Sequence, residues 1–95
     1  MLNNTGVEKD ITVTAYPNPF NDKVNFVLNV NKAGTGVLEL FNILGQKVTT
    51  IFEGDIKSGT NTFEISLPDN YSGSLMYKFT MGDQLVTGNL IKTKK

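Results

Sequence analysis

The segment Ala15-Tyr16-Pro17-Asn18-Pro19-Phe20-Asn21 constrains this chain more than any other. Proline fixes its own φ and drives the residue before it toward extended backbone. Tyr16 and Asn18 are therefore both held in β or polyproline geometry, and no helix can pass through. The segment reads as a strand end followed by a rigid corner. Tyr16 and Phe20 are free to clamp onto a core from either side of it.

From Asp10 onward the apolar period is two rather than 3.6. Ile11–Tyr16 alternates apolar and polar, and Lys23–Val30 puts Val24, Phe26, Leu28 and Val30 on one face. Gly36–Asn42 sets Leu38 and Leu40 together, with Phe41 opposite. Ile43-Leu44-Gly45-Gln46 is a tight connection in which Gly45 takes a positive φ. Lys47–Phe52 makes a fourth strand, and Glu53–Thr60, with Gly54 and Gly59, reads as a loop. Asn61–Leu67 turns Phe63, Ile65 and Leu67 inward and Thr62, Glu64 and Ser66 outward. Pro68–Gly73 is a second loop, and Ser74–Met81 then aligns Leu75, Tyr77 and Phe79. Gly82-Asp83 suits a two-residue hairpin turn. Gln84–Lys92 is the returning strand, with Val86 and Leu90 in register across Gly88.

About seven short strands with turn signals roughly every 8–12 residues predict an all-β, immunoglobulin-like sandwich of antiparallel strands. Residues 1–9 are polar and turn-rich and read as a linker remnant, residues 10–95 as one domain cut from something larger.

Composition removes most chemistry. A chain of 95 residues is one small domain with a modest core. Lys+Arg and Asp+Glu are nine each, so no basic field exists to hold nucleic acid. Every cation is lysine, which leaves no guanidinium fork for phosphate or carboxylate. The histidine count is 0, which removes the commonest general base and metal ligand. The cysteine count is 0, so there is no disulfide to read. No apolar run is long enough for a transmembrane helix. Glu39, Glu64 and Lys78 occupy strand positions that mark a solvated face, and Asp55, Asp69 and Asp83 occupy turns. Ser58, Ser66, Ser72 and Ser74 have no histidine to activate them. Asp69 and Asp83 could add to a loop calcium site, but no carboxylate cluster accompanies them. The expectation is a non-catalytic domain without a cofactor.

The order of the motifs is more specific than any one of them. Tyr16-Pro17-Asn18-Pro19-Phe20 is followed by a Val24-x-Phe26 strand, then by Leu38-x-Leu40-Phe41-Asn42-x-x-Gly45-Gln46-x-Val48. Ser58-Gly59-x-Asn61, Ser72-Gly73 and Thr87-Gly88-Asn89-Leu90-Ile91-Lys92 complete the series. From Ile11 to Lys95 the chain resembles the type A C-terminal sorting domain of type IX (Por) secretion cargo. Two positions depart from the family pattern: Leu75 stands where a tyrosine is usual, and Asn89 where a lysine is usual. Flagellar-hook-capping immunoglobulin-like domains share the Tyr-Pro-Asn-Pro-Phe-Asn start. The basic closing strand at the end of the chain favours the sorting domain.

The resemblance implies a secretion signal at the end of a larger protein of Bacteroidetes-type bacteria. It implies transit through the periplasm, then passage to the outer-membrane surface or beyond. It implies three partners: the type IX translocon, an outer-membrane shuttle barrel, and a sortase that cleaves before Ile11 and joins the cargo to an anionic lipopolysaccharide. Recognition is expected at the last hairpin and tail, through Gly73, Leu75, Tyr77, Asn89, Leu90, Ile91, Lys92, Lys94 and Lys95. Leu90 and Ile91 point to opposite faces, so one packs and the other is open to a partner. Lys92, Lys94 and Lys95 read either as a solvated tail or as the end of the signal; an open terminal edge strand favours the second. Pro17, Asn18 and Pro19 read as a structural corner, Gly45 and Gly73 as turn positions, and Gln46 as turn solvation or a partner contact. The rival reading is an immunoglobulin-like adhesion, spacer or carbohydrate-binding module of an extracellular enzyme. Against a carbohydrate binder, the tryptophan count is 0. The residues leave oligomeric state open.

Overall fold

A computed structural model describes residues 11–94. The linker reading of residues 1–9 falls outside them, as does Lys95. Seven strands follow in chain order: β1 (Ile11–Tyr16), β2 (Lys23–Val30), β3 (Gly34–Asn42), β4 (Lys47–Ile56), β5 (Gly59–Ser66), β6 (Gly73–Met81) and β7 (Gln84–Lys92). One 3-10 turn, Asp69–Tyr71, interrupts the loop before β6. The strands form a three-stranded sheet, β1-β2-β5, and a four-stranded sheet, β4-β3-β6-β7. Every neighbouring pair is antiparallel. This is an immunoglobulin-like β-sandwich.

Alternation builds the core. Val24, Phe26, Leu28 and Val30 of β2 are buried against Leu38 and Leu40 of β3, Leu75, Tyr77 and Phe79 of β6, and Leu90 of β7. The Phe26 and Tyr77 rings meet edge-to-face, with centroids 5.5 Å apart. Phe52 and Phe63 stack at 4.5 Å between β4 and β5. Burial pushes the Tyr77 phenol above its ordinary value of 10.0, because ionisation there would leave a charge poorly solvated. Gly82 adopts φ +63 in the β6–β7 turn, which joins Met81 directly to Gln84.

Three expectations change. Glu53–Thr60 is mostly strand: β4 continues to Ile56 because Gly54, Asp55 and Ile56 pair with Gly36, Thr35 and Gly34. The two glycines suggested a loop, yet Gly54 extends the β3–β4 ladder and Gly59 opens β5 opposite Val30. Tyr16 does not clamp the core. It alternates with Thr12 and Thr14 onto the outer face of β1 and is exposed, opposite Asn25. Phe20 alone inserts, fully buried. Lys92 is not part of a solvated tail; its side chain lies inside the protein.

Candidate functional site

The motifs singled out in the sequence converge on one end of the sandwich. Asn42 at the end of β3 pairs with Leu75 of β6, and Leu75 pairs with Leu90 of β7. Beyond β7, on the same row, lies the proline corner. Four distant segments thus share one line across the four-stranded sheet.

The corner serves β7 as a short surrogate strand. The Asn18 side-chain N–H donates to the Asn89 carbonyl at 3.1 Å, and its oxygen accepts the Ile91 N–H at 3.0 Å. Phe20 continues the pairing: its N–H donates to the Ile91 carbonyl at 2.9 Å, and its carbonyl accepts the Thr93 N–H at 2.8 Å. The Phe20–Lys92 bridge is parallel. Both Tyr16-Pro17 and Asn18-Pro19 are cis peptide bonds. An edge strand normally leaves its outer N–H and C=O groups open. Here the closing half of β7 has those groups filled.

Lys92 locks this arrangement from within. It lies two residues after buried Leu90, so alternation turns it inward. Its ammonium donates to the Asn21 carbonyl at 2.7 Å, the Thr93 carbonyl at 3.1 Å and Asp69 Oδ1 at 3.1 Å. An ammonium has three donors, and all three are used. The charge also lies 5.9 Å from the centre of the Phe20 ring. A buried charge is tolerated only when paired and hydrogen-bonded, and this one is both.

The β3–β4 connection is rigid for a different reason. Asn42 Oδ1 accepts the Leu44 N–H at 2.9 Å and the Gln46 N–H at 3.0 Å, and Asn42 Nδ2 donates to Gln46 Oε1 at 2.9 Å. Gly45 sits at φ +82, where a side chain would be strained. This turn holds Ile43 and Leu44 in water, each 77% exposed. A hollow of about 260 Å³ separates the turn from Ser74, Met76 and Asn89. Ile91, 47% exposed, sits opposite Ser74 on the outer face of β7. Beside the hollow, Glu39 lies 3.6 Å from Lys47 and 3.9 Å from Lys78, and Lys78 is 5.0 Å from the Phe41 ring centre.

The expected recognition residues divide accordingly. Leu75, Tyr77, Leu90 and Lys92 are buried and shape the end of the sandwich. Gly73, Asn89, Ile91 and Lys94 are exposed, and Gly73 opens β6 at φ +119. Of the two departures from the family pattern, Leu75 is core, and Asn89 meets the corner through its carbonyl, which any residue supplies. Sequence reasoning missed Ile43, Leu44 and Met76. An apolar pair inside a tight turn was the available signal, since such residues have no core to reach. Asp69 is engaged by Lys92, and no cluster of three metal-ligating side chains occurs among the described residues.

Fold and site together define a small β-sandwich module with a pre-shaped, partly apolar end. The family model for the secretion system C-terminal sorting domain matches residues 14–93, and the chain belongs to that family. It is a type IX secretion sorting signal, which implies interaction with that machinery and export across the outer membrane to the surface or the extracellular space. No curated protein and no solved structure matches it significantly.

Proposed function

We propose that the type IX machinery reads the end of the sandwich where the four motifs meet. The observation that carries this reading is the exposed apolar residues at this end: Ile43 and Met76 line one hollow, Leu44 follows Ile43 in the same turn, and Ile91 sits opposite Ser74 of the hollow's lining. Clustered exposed apolar side chains mark interaction sites, whereas scattered ones need no explanation. Fully burying an exposed side chain of this kind contributes roughly 1.5–3 kcal/mol, and proportionately less for Met76 and Ile91, which are already about half buried. Asn18, Phe20 and Lys92 then act indirectly, by holding β7 in register beneath the surface that is read.

The domain is a signal and carries out no reaction in this reading. The cargo waits in the periplasm while the translocon and an outer-membrane shuttle barrel engage the folded end. A sortase cleaves before Ile11 and joins the cargo to an anionic lipopolysaccharide. The residues that would be cleaved are those of the linker at 1–9.

Deleting Leu90–Lys95 would remove buried Leu90 and Lys92, so it confounds recognition with folding. Exposed charges separate the two. The whole chain is fused to a periplasmic reporter, and Leu44→Asp with Ile91→Asp is compared with wild type. The variant is expected to melt normally and to leave the reporter in the periplasm. Surface display at the wild-type level by a folded variant would rule this surface out.

A further inference from the structure

The other half of β7 presents a second, separate feature. Its groups at Asn89, Ile91 and Thr93 point away from β6, as their bonds to Asn18 and Phe20 establish. Antiparallel pairing alternates, so the N–H and C=O groups of Leu85 and Thr87 point the same way. The proline corner does not reach them. Across the seam, the Val13 carbonyl also faces outward, toward the Tyr77 hydroxyl at 3.4 Å. The edges of β1 and β7 thus flank one groove of about 640 Å³, lined by Ile11, Val13, Tyr77, Leu85 and Thr87.

Among the described residues, these edges lack the usual protection. Natural edge strands are blunted by charge, proline, bulges or a covering segment. β4 has charges at Lys47, Glu53 and Asp55 and two register shifts in its pairing with β3. β5 has Glu64, and the closing half of β7 has the corner. Ile11–Tyr16 and Gln84–Asn89 contain no charged residue and no proline, and the β6–β7 register runs unbroken from Gly73↔Lys92 to Met81↔Gln84. Leu85 is 60% exposed beside this edge. Gly88 keeps the groove's floor in shape, because a Cβ there would collide with the Tyr77 ring and hydroxyl.

We propose that this groove accepts an extended strand from a component of the type IX machinery, added edge-on to β7 at Leu85–Thr87. The inference rests on the secretion reading above. Only an extended segment offers donors and acceptors at the spacing of a strand edge. Both lips are uncharged, so the matching strand is uncharged over this stretch. Its alternate side chains turn toward Ile11 and Tyr77 and are apolar.

Proline at Leu85 or Thr87 tests this. Those N–H groups point away from β6, so proline spares the β6–β7 ladder and removes a donor that the added strand needs. Leu85→Pro and Thr87→Pro are placed in the full-chain reporter fusion, with purified chains melted in parallel. The expected result is a near-normal melt with surface reporter reduced about tenfold. Export at the wild-type level by a folded proline variant would overturn the proposal. If a proline variant loses its cooperative melt, Leu85→Lys and Thr87→Lys take its place. They keep the backbone donors and put a charge on the lip; the same reduction supports the proposal, and undiminished export overturns it. The wild-type fusion separates the two readings: its failure to leave the periplasm contradicts the secretion signal itself. Edge variants that dissociate a wild-type dimer yet export normally would assign the groove to a second copy of the chain and overturn the proposal.

Discussion

Asn18 accepts the Ile91 N–H through its side-chain oxygen at 3.0 Å, across a separation of 73 residues. With its donor bond to Asn89, that amide stands in for a residue of a neighbouring strand. Asn18→Ala should cost about 0.5–1.5 kcal/mol, the net contribution of hydrogen bonds that water partly replaces at these exposed groups. Asn18→Asp keeps the acceptor and loses the donor, so it should fall between alanine and wild type. Urea unfolding of the three chains measures the order.

Lys92 should behave as a structural cation. Lys92→Met keeps the aliphatic bulk but orphans the Asn21 and Thr93 carbonyls, for a loss of about 1–3 kcal/mol. Asp69→Asn should cost less, because that carboxylate is half exposed and water replaces much of its contribution. A Lys92 variant as stable as wild type would show that the buried ammonium contributes nothing net.

The β-architecture was legible because alternation is a local signal. Ile11–Tyr16, Lys23–Val30 and Gln84–Lys92 have the boundaries that their pattern implies. Glu53–Ile56 was not legible, since its strand character comes from β3 across the ladder rather than from its own polar and glycine residues. The clamp was illegible for the same reason. The proline corner announces rigidity, but nothing in it names β7 as its partner. Lys92 was half legible: its spacing from Leu90 points inward, while its charge points outward. Two oxygen acceptors from distant segments, Asn21 and Asp69, together with the adjacent Thr93 carbonyl, decide between them.

Two glycines should fail differently. Gly88→Ala drives a methyl into Tyr77 and should cost about 1–3 kcal/mol through overpacking. Gly45→Ala meets no atom within contact distance and suffers only from its positive φ, for about 1 kcal/mol. Thermal melts distinguish them, and near-ultraviolet circular dichroism should change only for Gly88→Ala, where Tyr77 must move.

The core phenylalanines should also separate. Phe26 is fully buried, and its replacement by alanine should cost about 3–5 kcal/mol. Phe63 is only partly buried beside Phe52, so Phe63→Ala should cost less. Equal losses by denaturant unfolding would mean that the β4–β5 opening is more tightly closed than its exposure suggests.

Tyr77 predicts an alkaline limit to stability. Its pKa is raised by burial, so the folded state holds the phenolic proton more tightly than the unfolded chain does. That contribution is fully present below the unfolded value of about 10 and is lost as pH rises through the raised one. Melting midpoints from about pH 8 to about pH 12 should fall more steeply for wild type than for Tyr77→Phe. Parallel curves would show that Tyr77 is not the source of any alkaline loss.

The central claim is that this domain is an address read by the type IX machinery. The most direct measurement is the location of a periplasmic reporter carrying the whole chain, in a type IX-competent bacterium and in the same strain without the translocon. The account predicts reporter on the surface or in the medium for the first strain, and reporter confined to the periplasm for the second. Export in both strains, or in neither, would contradict it.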